Sequence, residues 1–290
     1  MGLFNLFDKK ERFSIRNKDY MIINKSYCNK LILDKVNDII YEVLNSENIV
    51  KKLPGITFIL NNKNQKSHGS IKTYAIMKGK VIIRLNIFDD IDLKSIKFTL
   101  LHELAHAWDY MNKSNILKSH FKFFDLSFWT IDRKIMRFRE VIHIYFSGLK
   151  SEGLAIYYEG YKDCQVYDRD LFFDLYNMAY SDAKQNKKIF NEILHNIKGN
   201  NKELYTEISY HTIGFHMFYS IIYLNLSHNM EFNALAKMGY AEFIRKYELT
   251  MWKFGYAPII SLNSGRGIID YKKLLNEWAA VAKNEGIEKF

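Results

Sequence analysis

Ser95-Ile96-Lys97-Phe98-Thr99-Leu100-Leu101-His102-Glu103-Leu104-Ala105-His106-Ala107-Trp108-Asp109 is the stretch that decides how the chain is read. Ser95 can cap a helix, and the pattern predicts one running to about Asn112. Leu101, Leu104, Ala105 and Trp108 recur at i, i+3, i+4 and i+7, an apolar stripe that anchors such a helix in a core. His102 and His106 stand one turn apart, so their imidazoles leave one side of the helix and can share a single metal ion. Glu103 is beside the first histidine, where a carboxylate can take the proton from a water that attacks a carbonyl carbon. Asp109, three residues after His106, can hydrogen-bond a ligand or an adjacent turn and hold it in place. A helix this apolar buries its histidines, and buried imidazoles need partners, which argues against a chance match.

Upstream, Leu33, Val36, Ile39, Ile40, Val43 and Leu44 predict a helix within Leu31 to Val50, stopped by Pro54-Gly55. Ile56 to Leu60, Ile71 to Met77 and Val81 to Asn86 read as short strands, the last two forming a hairpin. Val81 to Asn86 is either an edge strand along which an extended peptide would lie or a plain core strand. Downstream, helices are expected over roughly 132 to 147, 150 to 162, 167 to 180, 182 to 198, 203 to 225, 231 to 249 and 270 to 284. The expected fold is α+β and mostly helical. An N-terminal lobe, 1–113, holds a small mixed sheet and the metal-binding helix, and a helical lobe, 114–290, follows.

At 290 residues the chain can bury a sizeable core, and 48% hydrophobic residues with two prolines fit a helical globule and exclude a disordered or fibrous one. The net charge of +10 raises nucleic acid as a partner. The lysines are scattered among acids and asparagines, however, so a solvated basic surface is expected and nucleic acid is not. Cys28 and Cys164 lie far apart without a CxxC spacing, which indicates neither a disulfide framework nor a thiolate metal site. Ile213 to Leu226 is too short for a membrane span and contains His216, Ser220 and Asn225, so it reads as a buried helix. Met1 to Phe7 has no basic region of the secretory kind, and a cytoplasmic location is expected. His68, His120, His143, His195, His216 and His228 have no paired spacing and read as surface or core residues.

Two histidines on one metal require a third protein ligand and an open position for water. Ser151-Glu152-Gly153-Leu154-Ala155-Ile156-Tyr157-Tyr158-Glu159-Gly160 offers one: it reads as a helix start with Glu152 and Glu159 on one face, and with Gly153 and Ala155 small enough to let the metal helix approach. This segment resembles the NEGFAxYxE element of the gluzincin peptidases, including the aminopeptidase N family, at Glu152, Gly153, Ala155, Tyr157 and Glu159. The resemblance implies Glu152 as the third ligand of a Zn2+ ion held with His102 and His106, and Glu159, like Asp109, as a supporting carboxylate. Ile208-Ser209-Tyr210-His211-Thr212-Ile213-Gly214-Phe215 resembles the YxxGF stretch that carries the oxyanion-stabilising tyrosine of those enzymes. Residue type favours Tyr210, while His211 stands at the family's spacing from Gly214; either side chain carries a suitable donor.

His102 to Asp109 also resembles the metal helix of thermolysin and of the lethal factor family. The long stretch from Met111 to Lys150 departs from the aminopeptidase pattern, as does the absence of a GxMEN element before the metal helix. The resemblance therefore implies a zincin-like fold and a zinc-dependent endopeptidase with a peptide or protein substrate. Two alternatives stand beside it: a narrow regulatory or effector protease acting on one protein partner, and a catalytically inactive, metal-stabilised binding module.

Overall fold

The computed structural model describes residues 9–62, 69–71, 79–112, 138–161, 168–199, 201–225, 232–263 and 265–286. The chain is mixed α+β with a small mixed sheet, and divides into two compact units, residues 1–118 with 158–160, and residues 119–157 with 161–290.

The first unit opens with an antiparallel hairpin of β1 (Lys9–Ile15) and β2 (Lys18–Asn24). Its two-residue turn, Arg16-Asn17, takes positive φ at both positions, the geometry that matches the twist of the flanking strands. The exposed Lys10, Glu11 and Arg12 blunt this edge of the sheet against pairing with another chain. Sequence patterning did not predict the hairpin, because β1 has too few apolar residues to alternate; pairing with β2 is what makes it a strand.

Asn29 then caps α1 (Lys30–Ser46), its side chain accepting from the Ile32 N–H, and Val36, Ile40, Val43 and Leu44 form the buried face. A 3-10 turn, Asn48–Lys52, ends the region that was expected to be one helix. β3 (Ile56–Asn61), β4 (Gly69–Ile71) and β5 (Val81–Asn86) complete a sheet of order β1-β2-β3-β5-β4. β2, β3 and β5 are mutually parallel, and β4 runs antiparallel to β5. The strand antiparallel to β5 is Gly69–Ile71, which includes only the first residue of the expected Ile71 to Met77, while 72–77 lie outside the described residues. β5 has a neighbour on both sides, so it is a core strand, and β4 is the edge on that side among the described residues.

The metal-motif helix is α2 (Leu93–Asn112), and it packs on α1, β4 and β5. Its cap is Asp92, not Ser95: the Asp92 carboxylate accepts from the N–H groups of Lys94 and Ser95 and from the Ser95 hydroxyl. These hydrogen bonds hold the Asp92 carboxyl below its usual range. Leu101, Leu104, Ala105 and Trp108 are all buried, as their spacing requires.

The second unit is built mainly of helices. α3 (Phe138–Gly160) runs unbroken through Gly148, where a break between two helices was expected, and its last three residues belong to the first unit. α4 (Arg169–His195) likewise merges two expected helices. Conversely, the expected helix over 203 to 225 is split into α5 (Lys202–Glu207) and α6 (His211–Leu224). The cause is the fully buried Asn186 on α4, whose amide donates to the Ser209 carbonyl and accepts from the Ser209 N–H, while the Ser209 hydroxyl donates to Asp182. A side chain that satisfies both backbone groups of Ser209 replaces the helical bonds there.

α7 (Phe232–Lys237), α8 (Tyr240–Lys253), the short parallel pair β6 (Ile260–Ser261) and β7 (Ile269–Asp270), and α9 (Tyr271–Asn284) complete the unit. Residues Ile213 to Ile222 of α6 are buried without exception, so it is the central helix. Within it His216 faces the Tyr247 hydroxyl at 3.2 Å and Ser220 at 3.1 Å, and burial pulls its pKa down to about 3. It is a neutral, hydrogen-bonded core residue. His143 lies between the hydroxyls of Tyr240 and Tyr271, and His195 bonds the Asn191 carbonyl. His68, His120, His228 and Cys164 lie outside the described residues. No helix among the described residues is long and apolar enough to cross a membrane.

Candidate metal centre

α2 sends His102 and His106 from one stripe, and their Nε2 atoms stand 2.9 Å apart with the rings nearly perpendicular. Helical geometry dictates this pairing, since side chains four residues apart lie one above the other. The Nδ1 of His102 meets Glu159 Oε2 at 2.9 Å. A carboxylate oxygen accepts, so His102 donates from Nδ1; in a neutral imidazole this leaves the lone pair on Nε2, the form that binds a metal. The last turn of α3 that carries Glu159 is held in place next door: the Tyr158 hydroxyl donates to Glu47 Oε2 at 2.6 Å.

Glu152 is two turns before Glu159 on α3, and one ligand atom each from His102, His106 and Glu152 lie within 4.8 Å of one another. Two imidazoles and a carboxylate are a donor set suited to a divalent transition ion, and the carboxylate on the far nitrogen of His102 is the support such ligands need. The residues therefore fit a metal. Replacing Glu159 by Gln should keep the fold but weaken metal binding roughly 10- to 100-fold, measured by competition with a chromophoric chelator; unaltered affinity would mean that Glu159 does not orient His102.

Glu103, at 6% exposure, is buried on α2, and its carboxylate lies close beneath Gly69 of β4. Asp109 is also buried. Of the two residues named for the oxyanion role, His211 meets the Glu152 side chain. His211 Nε2 lies 3.2 Å from Glu152 Oε2, with most of its imidazole exposed. The Tyr210 ring instead packs on Gly148, where a Cβ would come within 2.9 Å of it, and tilts against Tyr145 at 5.6 Å. Burial first, then the Glu152 charge, pushes the Tyr210 phenol up to about 12, so it keeps its proton at neutral pH.

What brings α6 to this place is a contact between two glycines. A Cβ on Gly153 would sit 2.1 Å from the Gly214 carbonyl oxygen, and one on Gly214 would sit 2.2 Å from the Leu149 carbonyl oxygen. The expectation that Gly153 makes room for the metal helix is corrected: the chain that fills its space is α6. Gly69 and Thr99 are the site neighbours that motif reading missed, because a glycine at the start of a short strand carries no chemical signal of its own.

No protein-family model and no curated protein matches the chain.

Proposed function

We propose that the chain is a zinc-dependent peptidase of the gluzincin type with a zincin-like fold, cutting internal peptide bonds. The observation that carries the reading is the gathering of His102, His106 and Glu152, with Glu103 adjacent on the same helix. In this reading His102, His106 and Glu152 hold Zn2+, which when bound lowers the pKa of water and polarises a carbonyl group.

The remaining roles belong to the protein's own side chains. Glu159 fixes the tautomer and the ring plane of His102. Glu103 takes the proton from the attacking water and returns it to the departing amine, which converts a poor leaving group into a good one. His211 or Tyr210 donates a hydrogen bond to the oxygen that gains charge as the carbonyl becomes tetrahedral. The outer edge of β4 is where an extended peptide would pair backbone to backbone. A sequence without GxMEN before α2 offers no such grip on a free amino terminus, which favours an endopeptidase.

The test is metal content and hydrolysis together. Purified protein should cleave denatured casein, lose that activity to a zinc chelator and regain it with Zn2+. Glu152→Ala should lower zinc affinity by more than about 100-fold, read by elemental analysis after dialysis; full zinc stoichiometry in that variant would assign the third ligand elsewhere.

A further inference from the structure

The carboxylate of Glu103 is bounded on one side by backbone. β4 is fixed on β5 by the pairs Gly69 with Leu85, Ser70 with Arg84 and Ile71 with Ile83, and both Leu85 and Ile83 are fully buried. This register lays the Cα of Gly69 across Thr99 and Glu103, which are neighbours on one face of α2. A Cβ at position 69 would meet Thr99 Cγ2 at 2.4 Å and Glu103 Cγ and Oε1 at 3.2 Å. The glycines with positive φ are elsewhere, at 79, 255, 265 and 286, so position 69 needs glycine for space and not for its backbone conformation.

We propose that Gly69 is a positioning residue for Glu103: its bare Cα sets where the Glu103 carboxylate points, and any side chain there would turn the carboxylate aside. The inference rests on the reading of Glu103 as the general base. Three physical facts support it. Thr99 is β-branched, so within a helix its χ1 is restricted to two rotamers and its room to move away from an added methyl is small. Glu103 is almost wholly buried, so it has little solvent space to rotate into. A base displaced by a fraction of an ångström to 1 Å loses rate steeply, by up to about 100-fold, while groups that only bind are less sensitive. His102 is held from another direction, by Glu159, and does not depend on position 69.

The experiment compares Gly69→Ala, the double variant Gly69→Ala with Thr99→Ser, and Lys35→Ala, an exposed position on α1 that should behave as wild type. Each is measured for zinc content, for kcat and KM on denatured casein, and for the Glu103 position in a crystal structure. Gly69→Ala should lose about tenfold or more in kcat with KM and zinc unchanged, and its Glu103 carboxylate should be displaced. Thr99→Ser removes the Cγ2 that meets the new methyl, so the double variant should recover part of the rate. Wild-type kcat with an unmoved carboxylate would overturn the proposal, as would a rate loss that merely follows loss of zinc.

If Gly69→Ala does not fold, the double variant is compared with Thr99→Ser alone, and an unmoved carboxylate there overturns the proposal equally. If the wild-type chain cleaves no casein, the peptidase reading fails by itself. The paired crystal structures then still decide whether Gly69 sets the Glu103 position.

Discussion

Glu103→Gln is expected to bind zinc as the wild type does and to lose roughly 100- to 10,000-fold in kcat, which is about 3 to 5 kcal/mol of transition-state stabilisation. Gln keeps the volume of Glu, so the tight space beneath Gly69 is still filled and α2 need not shift. What the amide lacks is a site that can accept a proton at neutral pH and give it back. Metal affinity is unaffected because Glu103 is not among the ligand atoms that converge on one point; His102, His106 and Glu152 are. The two readouts must therefore separate. Casein hydrolysis under single-turnover conditions gives the rate, and elemental analysis gives the zinc. Equal hydrolysis by Glu103→Gln and wild type would remove the proposed mechanism, and zinc loss in the variant would make Glu103 a structural residue.

Gly153→Ala tests the tertiary arrangement that brings α6 to Glu152. On helix propensity alone the substitution should stabilise α3 by about 1 kcal/mol, since Ala is the best helix former and Gly among the worst. The packing argument has the opposite sign. The new methyl would stand 2.1 Å from the Gly214 carbonyl oxygen and 2.5 Å from its carbon, so α3 and α6 must separate by more than 1 Å. Both neighbours are backbone, and no rotamer can relieve the clash. Overpacking of this kind typically costs about 1 to 3 kcal/mol and sometimes more.

We expect a net loss of stability, with Tm lower by about 5 °C or more in calorimetry. Lengthening of the 3.2 Å contact between His211 and Glu152 should accompany it. A rise in Tm would mean that propensity wins and that the helices do not meet at these glycines. Gly214→Ala approaches the Leu149 carbonyl from the other side and should lose stability in the same way.

These two glycines illustrate how far the sequence could be read. Gly148 sits between the expected helices 132 to 147 and 150 to 162, and Gly153 inside the second, where α3 is one helix. Each instead gives up a side chain to admit a neighbour: Gly148 the Tyr210 ring, Gly153 the backbone of Gly214. Local propensity registers only the cost of such a residue, because the partner is distant in sequence. The break before α6 has the same origin. Asn186 clamps Ser209 from a separation of 23 residues, and nothing local to Ser209 announces it.

By itself the sequence determined whatever depends on helical period. The stripe of His102 and His106, the opposite apolar stripe from Leu101 to Trp108, and the shared face of Glu152 and Glu159 follow from 3.6 residues per turn, a property of the covalent chain. Tertiary structure decided what depends on meetings between segments. It put Glu159 on the far nitrogen of His102, gave β5 a neighbour on each side, and set His211 against Glu152 while packing Tyr210 on Gly148. It also laid Gly69 over Glu103. Such meetings are fixed by sheet register and close backbone approach, where a slip of one residue or one added methyl changes the partner, and the period of a single segment contains no record of them.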